Sequence, residues 1–116
     1  MCGLVGVANF GSGGLYANQV EAFTDLLIAD SVRGSDGTGI MAINAKGRRT
    51  TFKNVGHPYN LIHSKDYDEV TNYTKQPYLK ILAGHNRYAT TGDPNHVNSH
   101  PFYRAPITLM HNGTLT

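Results

Sequence analysis

Cysteine is nearly missing from this chain of 116 residues, which holds one, Cys2. A single cysteine closes no intrachain disulfide, and such usage fits a reducing compartment. No stretch is apolar enough to span a bilayer as a helix. The N-terminus also lacks the basic n-region and continuous apolar h-region of a signal peptide, so a soluble, cytoplasmic protein is expected. Charge is sparse too. Ten Lys plus Arg against eight Asp plus Glu leave a net +2, too little to call for a polyanionic partner. The densest basic cluster, Lys46, Arg48, Arg49 and Lys53, surrounds a hairpin turn and has no stacking aromatics interleaved with it. It reads as a solvated face, so neither nucleic acid nor a membrane is expected as a partner. The loop Gly11-Ser12-Gly13-Gly14 is not followed by Gly-Lys-Ser/Thr, which excludes a Walker A phosphate cradle. His96 and His100 have the spacing of a helical zinc pair, but the Glu of His-Glu-x-x-His is missing and Pro101 opposes a helix. No metal and no cofactor are expected.

What is present suits one domain. A chain of this length buries between about 60% and about 70% of its unfolded surface, enough for a core without disulfide or metal staples. Residues 3–10 read as a first strand, closed by the glycine loop. Asn18, with Glu21 three residues on, forms a capping box that starts a helix. Val20, Phe23 and Leu27 recur at helical spacing with Leu26 widening the buried stripe, and Gly34 suits a left-handed residue at the helix end. Met41-Ala42-Ile43 and Thr50–Val55 read as hairpin partners across Asn44-Ala45-Lys46-Gly47. Between Pro58 and Gln76, Leu61-Ile62 and Val70 allow short helices. Tyr78–His85 reads as a largely buried strand, 86–105 as a functional loop, and Ile107–Met110 as a last strand.

Three features carry chemistry. Cys2 stands one peptide bond from the chain start, at the head of an apolar strand. Once Met1 is removed, its thiol (unperturbed pKa ~8.5) and a free α-amine (~8) share one residue, so nucleophile and base come as a unit. The plainer reading is a small buried residue. Arg87 follows the strand and begins the polar loop. Its guanidinium there can hold a carboxylate through two parallel hydrogen bonds, or simply sit at the surface. Asn112-Gly113 reads either as a type I′ hairpin turn or as an oxyanion hole, an amide plus a glycine N–H aimed at a developing negative oxygen.

The segments Cys2-Gly3-Leu4-Val5-Gly6, Arg33-Gly34-Ser35-Asp36-Gly37-Thr38-Gly39, Gly84-His85-Asn86-Arg87-Tyr88-Ala89-Thr90-Thr91-Gly92, Asn98-Ser99-His100-Pro101-Phe102 and His111-Asn112-Gly113-Thr114-Leu115 follow one another along the chain. In that order they strongly resemble the class II glutamine amidotransferase domain, of the N-terminal nucleophile hydrolase type. The resemblance covers essentially the whole chain. It implies that Cys2 is the nucleophile, that Asn112 and Gly113 form the oxyanion hole, and that Arg87 grips the α-carboxylate of glutamine. Tyr88 matches the aromatic position beside that arginine and Thr90 a neighbouring loop residue. Arg33 and Asp36 match a buried charged pair that supports the nucleophile, and His100 a structural histidine.

The implied fold is α+β, an αββα sandwich of antiparallel sheets, here truncated. Domains of this family run to about 200 residues or more. Residues 1–116 are therefore expected to be the N-terminal part of such a domain. The later strands and the acidic residue that binds the α-amino group of glutamine would lie in missing sequence. The expected substrate is glutamine. The expected partner is a synthase domain or a complementing chain, with self-association through uncovered apolar faces. A retained Met1 would cap the Cys2 nitrogen as an amide that cannot serve as base. Two alternatives remain open at this point: a non-catalytic interaction module that binds through unpaired sheet edges, and a metal-dependent hydrolase using His96 and His100.

Overall fold

The computed structural model describes residues 3–71, 78–87 and 101–111, without the side chains of Arg33 and Phe102. Strand β1 spans Gly3–Ala8, β2 Gly37–Asn44, β3 Arg49–Val55 and β4 Leu79–Arg87. They form one four-stranded antiparallel sheet in the order β1-β4-β2-β3. The β2–β3 hairpin follows from its turn chemistry. Gly47 adopts a positive φ of 79°, and the Asn44 carboxamide oxygen accepts from the N–H groups of Lys46 and Arg48 at 2.9 and 3.0 Å. The glycine-rich run 37–40 is itself strand, so β2 begins earlier than its apolar triplet 41–43 indicates.

Side chains alternate across this sheet. Helix α1, Ala17–Ala29, covers one face through Phe23 and Leu27, both buried. Gly84 is what lets it seat directly on β4. A Cβ there would lie 2.8 Å from Leu27 Cδ1 and 3.1 Å from Phe23 Cζ. Ile40, Ala42, Leu79 and Leu82 complete the strand side of this core, joined by Leu61 of α2 (Pro58–Ile62) and Tyr67 and Val70 of α3 (Lys65–Thr71). The Thr24 and Tyr67 hydroxyls, 2.6 Å apart, link α1 to α3.

Three details of α1 differ from the sequence reading. Its N-cap is Tyr16, whose N–H donates to Gln19 Oε1 at 2.8 Å, so the reciprocal bond falls two residues ahead of Asn18 and Glu21. Leu26 is 55% exposed, because Phe23 and Leu27 define the centre line and Leu26 is rotated by about 100° from Leu27. The helix passes into a 3-10 turn at Asp30–Arg33, and Gly34 beyond it is extended (φ 174°) rather than left-handed.

The segment read as loop up to residue 105 contains a further strand. β5, Phe102–Arg104, pairs with β6, Ile107–Leu109, in a separate two-stranded hairpin. Local pairing across Ala105-Pro106 creates it, which composition alone does not signal. The hairpin meets β3 on the face away from α1, where the Arg49 guanidinium stacks 3.1 Å from the Tyr103 ring centroid. The architecture is thus mixed helix and antiparallel sheet. Among the described residues no helix is long and apolar enough to cross a membrane.

Candidate active site

Because β1 and β2 both run antiparallel to β4, the starts of the first two strands meet the end of the third. Gly3 is opposite Asn86 and Leu4 opposite His85, while Gly37 is opposite Arg87. The Asp36 N–H extends this pairing by donating to the Arg87 carbonyl at 2.9 Å. The loop-borne arginine read from the sequence is therefore the last residue of β4, held by strand pairing and only 6% exposed. The polar run His85-Asn86-Arg87 at the end of an apolar strand is the signal for that extension.

On the face away from α1, His85 is fully buried and its Nε2–H donates to the His111 carbonyl at 2.8 Å. Burial lowers its pKa below the ordinary histidine value. The nearby Arg87 and His111 charges push the same way, and the His111 carbonyl opposes them. A neutral imidazole therefore anchors residue 111 beside the end of β4 at neutral pH.

On the α1 face the same strand end carries a buried polar chain. The Thr38 hydroxyl donates to Asn86 Oδ1 at 3.0 Å, and Asn86 Nδ2 donates to the Leu27 carbonyl at 2.8 Å and to Asp30 Oδ2 at 3.4 Å. Thr38 and Asn86 are both fully buried. None of His85, Asn86, Thr38 and Asp30 was singled out by the motif reading. Their roles come from partners far away in sequence.

Of the sequence-derived site residues, Arg87 and Asp36 are brought together by the backbone bond above, and Arg33 closes the 3-10 turn leading into them. Cys2, Tyr88, Thr90, His100, Asn112 and Gly113 lie outside the described residues, as does His96. The chain neighbours of two of these are described. Gly3, bonded to Cys2, faces Asn86, and His111, bonded to Asn112, is held by His85. Among the described residues no three His, Cys, Asp or Glu side chains cluster as metal ligands do.

Comparison with known proteins bears on this end of the sheet. No family model matches the chain. Curated relatives nevertheless align with 99% of it. Their class is that of the glutamine amidotransferases: the N-terminal domain of these relatives is the class II glutamine amidotransferase domain that the motifs resemble. In particular they are glutamine–fructose-6-phosphate aminotransferases (isomerizing). That of Staphylococcus aureus is 34% identical over 120 residues, that of Aliivibrio fischeri 29% over 115 residues, and that of Vibrio parahaemolyticus 28% over 115 residues. The chain spans 17% of the length of each. Among solved structures, a chain from a complex of the beta-clamp processivity factor and the little finger domain of PolIV superposes with a TM-score of 0.50 at 11% identity. The match covers 78% of this chain and 94% of that one and concerns the fold alone.

Proposed function

We propose that this chain is the N-terminal part of a class II glutamine amidotransferase domain, of αββα N-terminal nucleophile architecture, and that it hydrolyses the side-chain amide of glutamine to glutamate and ammonia. The acceptor of that ammonia would be served by a synthase domain or a complementing chain. One observation carries the reading: the covalent neighbours of Cys2 and Asn112 rest against His85 and Asn86, the two residues that precede Arg87. This supports a reading in which nucleophile, oxyanion donors and carboxylate grip are drawn from three distant parts of the sequence, since Gly3, His111 and Arg87 meet at one strand end.

The chemistry follows from the residue types. With Met1 removed, the Cys2 amine takes the thiol proton, directly or through a water, as sulfur attacks the side-chain carbonyl carbon of glutamine. Asn112 and Gly113 stabilise the tetrahedral oxyanion, a role in which one donor is worth about 3 kcal/mol. The C–N bond breaks and ammonia leaves. Water then cleaves the γ-glutamyl thioester, releasing glutamate and returning the thiol. Arg87 holds the substrate α-carboxylate, with Tyr88 and Thr90 beside it. Arg33, Asp36 and His100 support the site without touching the reacting atoms.

A glutamine-analogue electrophile tests this. Intact mass should show loss of Met1 and one adduct, mapped to Cys2 and abolished by Cys2→Ala. Glutamate release should vanish in the same variant, and Arg87→Lys should raise the glutamine KM by about 10–100-fold, since it keeps the charge but loses the bidentate fork. Labelling that persists in Cys2→Ala would overturn the proposal.

A second reading has its own observation. The β5–β6 hairpin leaves Ile107 66% and Leu109 54% exposed, an apolar surface suited to a protein partner. An interaction module of this kind would bind that partner equally well as Cys2→Ala and would take up no glutamine analogue.

A further inference from the structure

Gly3 has no side chain, and the space where one would stand is filled. A Cβ at Gly3 would overlap all three carboxyl atoms of Asp30, Cγ, Oδ1 and Oδ2. The Asp30 carboxylate therefore lies directly against the backbone at the head of β1. It comes from the 3-10 turn that follows α1, and it reaches Gly3 from the helix side of the sheet. Its place is set by the interior. Asn86 Nδ2 approaches Asp30 Oδ2 at 3.4 Å, and Asn86 is itself fixed by the Leu27 carbonyl and by Thr38, both Asn86 and Thr38 being fully buried.

A buried amide and hydroxyl are costly unless satisfied, and a carboxylate drawn in beside them is costlier still. Here all three are arranged so that an anion abuts the residue next to Cys2. Cys2 is covalently bonded to Gly3, and consecutive Cα atoms are about 3.8 Å apart. An opposite charge within about 4–6 Å favours the charged form of an amine.

Resting on the glutaminase reading above, we propose that Asp30 is a positioning residue for that reaction: its carboxylate, lodged in the space left by Gly3, stabilises the α-ammonium of Cys2. In the acylation step the S–H bond breaks, the proton passes to the amine, and the sulfur electron pair forms the bond to the amide carbon. The amine thus changes from neutral to cationic while an anion waits beside it. The same ammonium then donates its proton to the departing nitrogen, and the balance is restored. Gly3 and Asp30 act as a pair, because a residue larger than glycine would displace the carboxylate. Asn86 and Thr38 hold the carboxylate in register.

The test uses the full chain, with kcat and KM for glutamine and the rate of Cys2 alkylation by the glutamine analogue. Asp30→Asn, near in shape but neutral, should lower kcat and the alkylation rate by about 10–100-fold while KM stays within about twofold. Asp30→Glu, which keeps the charge, should recover kcat to within about fivefold of the unaltered chain, a rescue that a purely packing role would not produce. Asp30→Ser, also neutral, should repeat the loss where Asp30→Asn does not fold. An unchanged kcat in folded Asp30→Asn would overturn the inference. So would unfolding of both neutral variants, which would make Asp30 a structural residue. If the unaltered chain shows neither glutamine hydrolysis nor labelling at Cys2, the glutaminase reading fails first and this inference falls with it. Activity that survives neutralisation of Asp30 defeats the inference alone.

Discussion

On the face of the sheet that α1 covers, Leu27, Ile40 and Leu82 are fully buried and Gly84 brings helix and strand into contact. On the other face, Leu4 is 48% exposed, and the strand end is closed by a neutral histidine and an arginine. One strand serves both. In β4, Leu82, Gly84 and Asn86 point to the helix, while Ala83, His85 and Arg87 point away from it. The helix face supplies the stability that lets the opposite face hold polar groups in fixed positions. Those polar groups are costly to bury, and the hydrogen bond from His85 to the His111 carbonyl offsets part of that cost.

Cutting into the closed face should have the largest effect. Leu27→Ala removes a side chain with no exposure and should lower stability by about 2–5 kcal/mol, read from the urea midpoint. Leu4→Ala, on the other side of the same sheet, should stay within about 0.5 kcal/mol. Equal losses would erase the contrast between the faces.

Acid should probe the open face next. When folded, His85 binds its proton less readily than an unfolded histidine, whose pKa is about 6.5. Below that pH the unfolded chain therefore takes up the extra proton. The stability tied to a neutral His85 is fully present above about pH 6.5 and is lost as pH falls through the window beneath it. His85→Gln should flatten the acid side of a stability–pH curve. An unaltered slope would show that the bond to His111 is not what acid breaks.

The smallest effect should fall on the hairpin. Arg49→Ala removes an exposed cation–π contact with Tyr103 and should cost about 0.5–1 kcal/mol. It should raise hydrogen exchange within 102–109 while leaving β4 protected. Loss of protection along β4 would mean that the hairpin contributes more to the sheet than its contacts indicate.

Much of the fold was legible from short-range pattern. The apolar run of β1, the Phe23–Leu27 spacing, the Asn44–Gly47 turn and the strand before Arg87 all reappear in the structure. What pattern missed depended on contacts at long sequence distance. Leu26 is apolar yet exposed, since Phe23 and Leu27 occupy the centre of the helix's buried face. Residues 102–104 form a strand only by pairing with 107–109. Arg87 looked like the start of a loop because its neighbours in sequence are polar, but pairing with Gly37 makes it strand. At the candidate site, the motifs name Arg87 and Asp36, which a backbone bond brings together. His85, Asn86 and Thr38 stand inside those motifs with no role attached and Asp30 stands outside them, because each is defined by a partner that sequence order hides.

By itself the sequence determined the local elements and the kinds of chemistry available: one thiol at the chain head, an arginine after a buried strand, an Asn-Gly pair beyond the last one. These depend on periodicity, turn propensity and the reactivity of single side chains, which act over a few residues. Only tertiary structure decided that the head of β1, the start of β2 and the end of β4 share one end of the sheet. It also decided that a carboxylate from the turn after α1 fills the place of a missing side chain at Gly3. Antiparallel register and the seating of a helix on a glycine set those distances, and both are properties of the packed chain rather than of any segment of it.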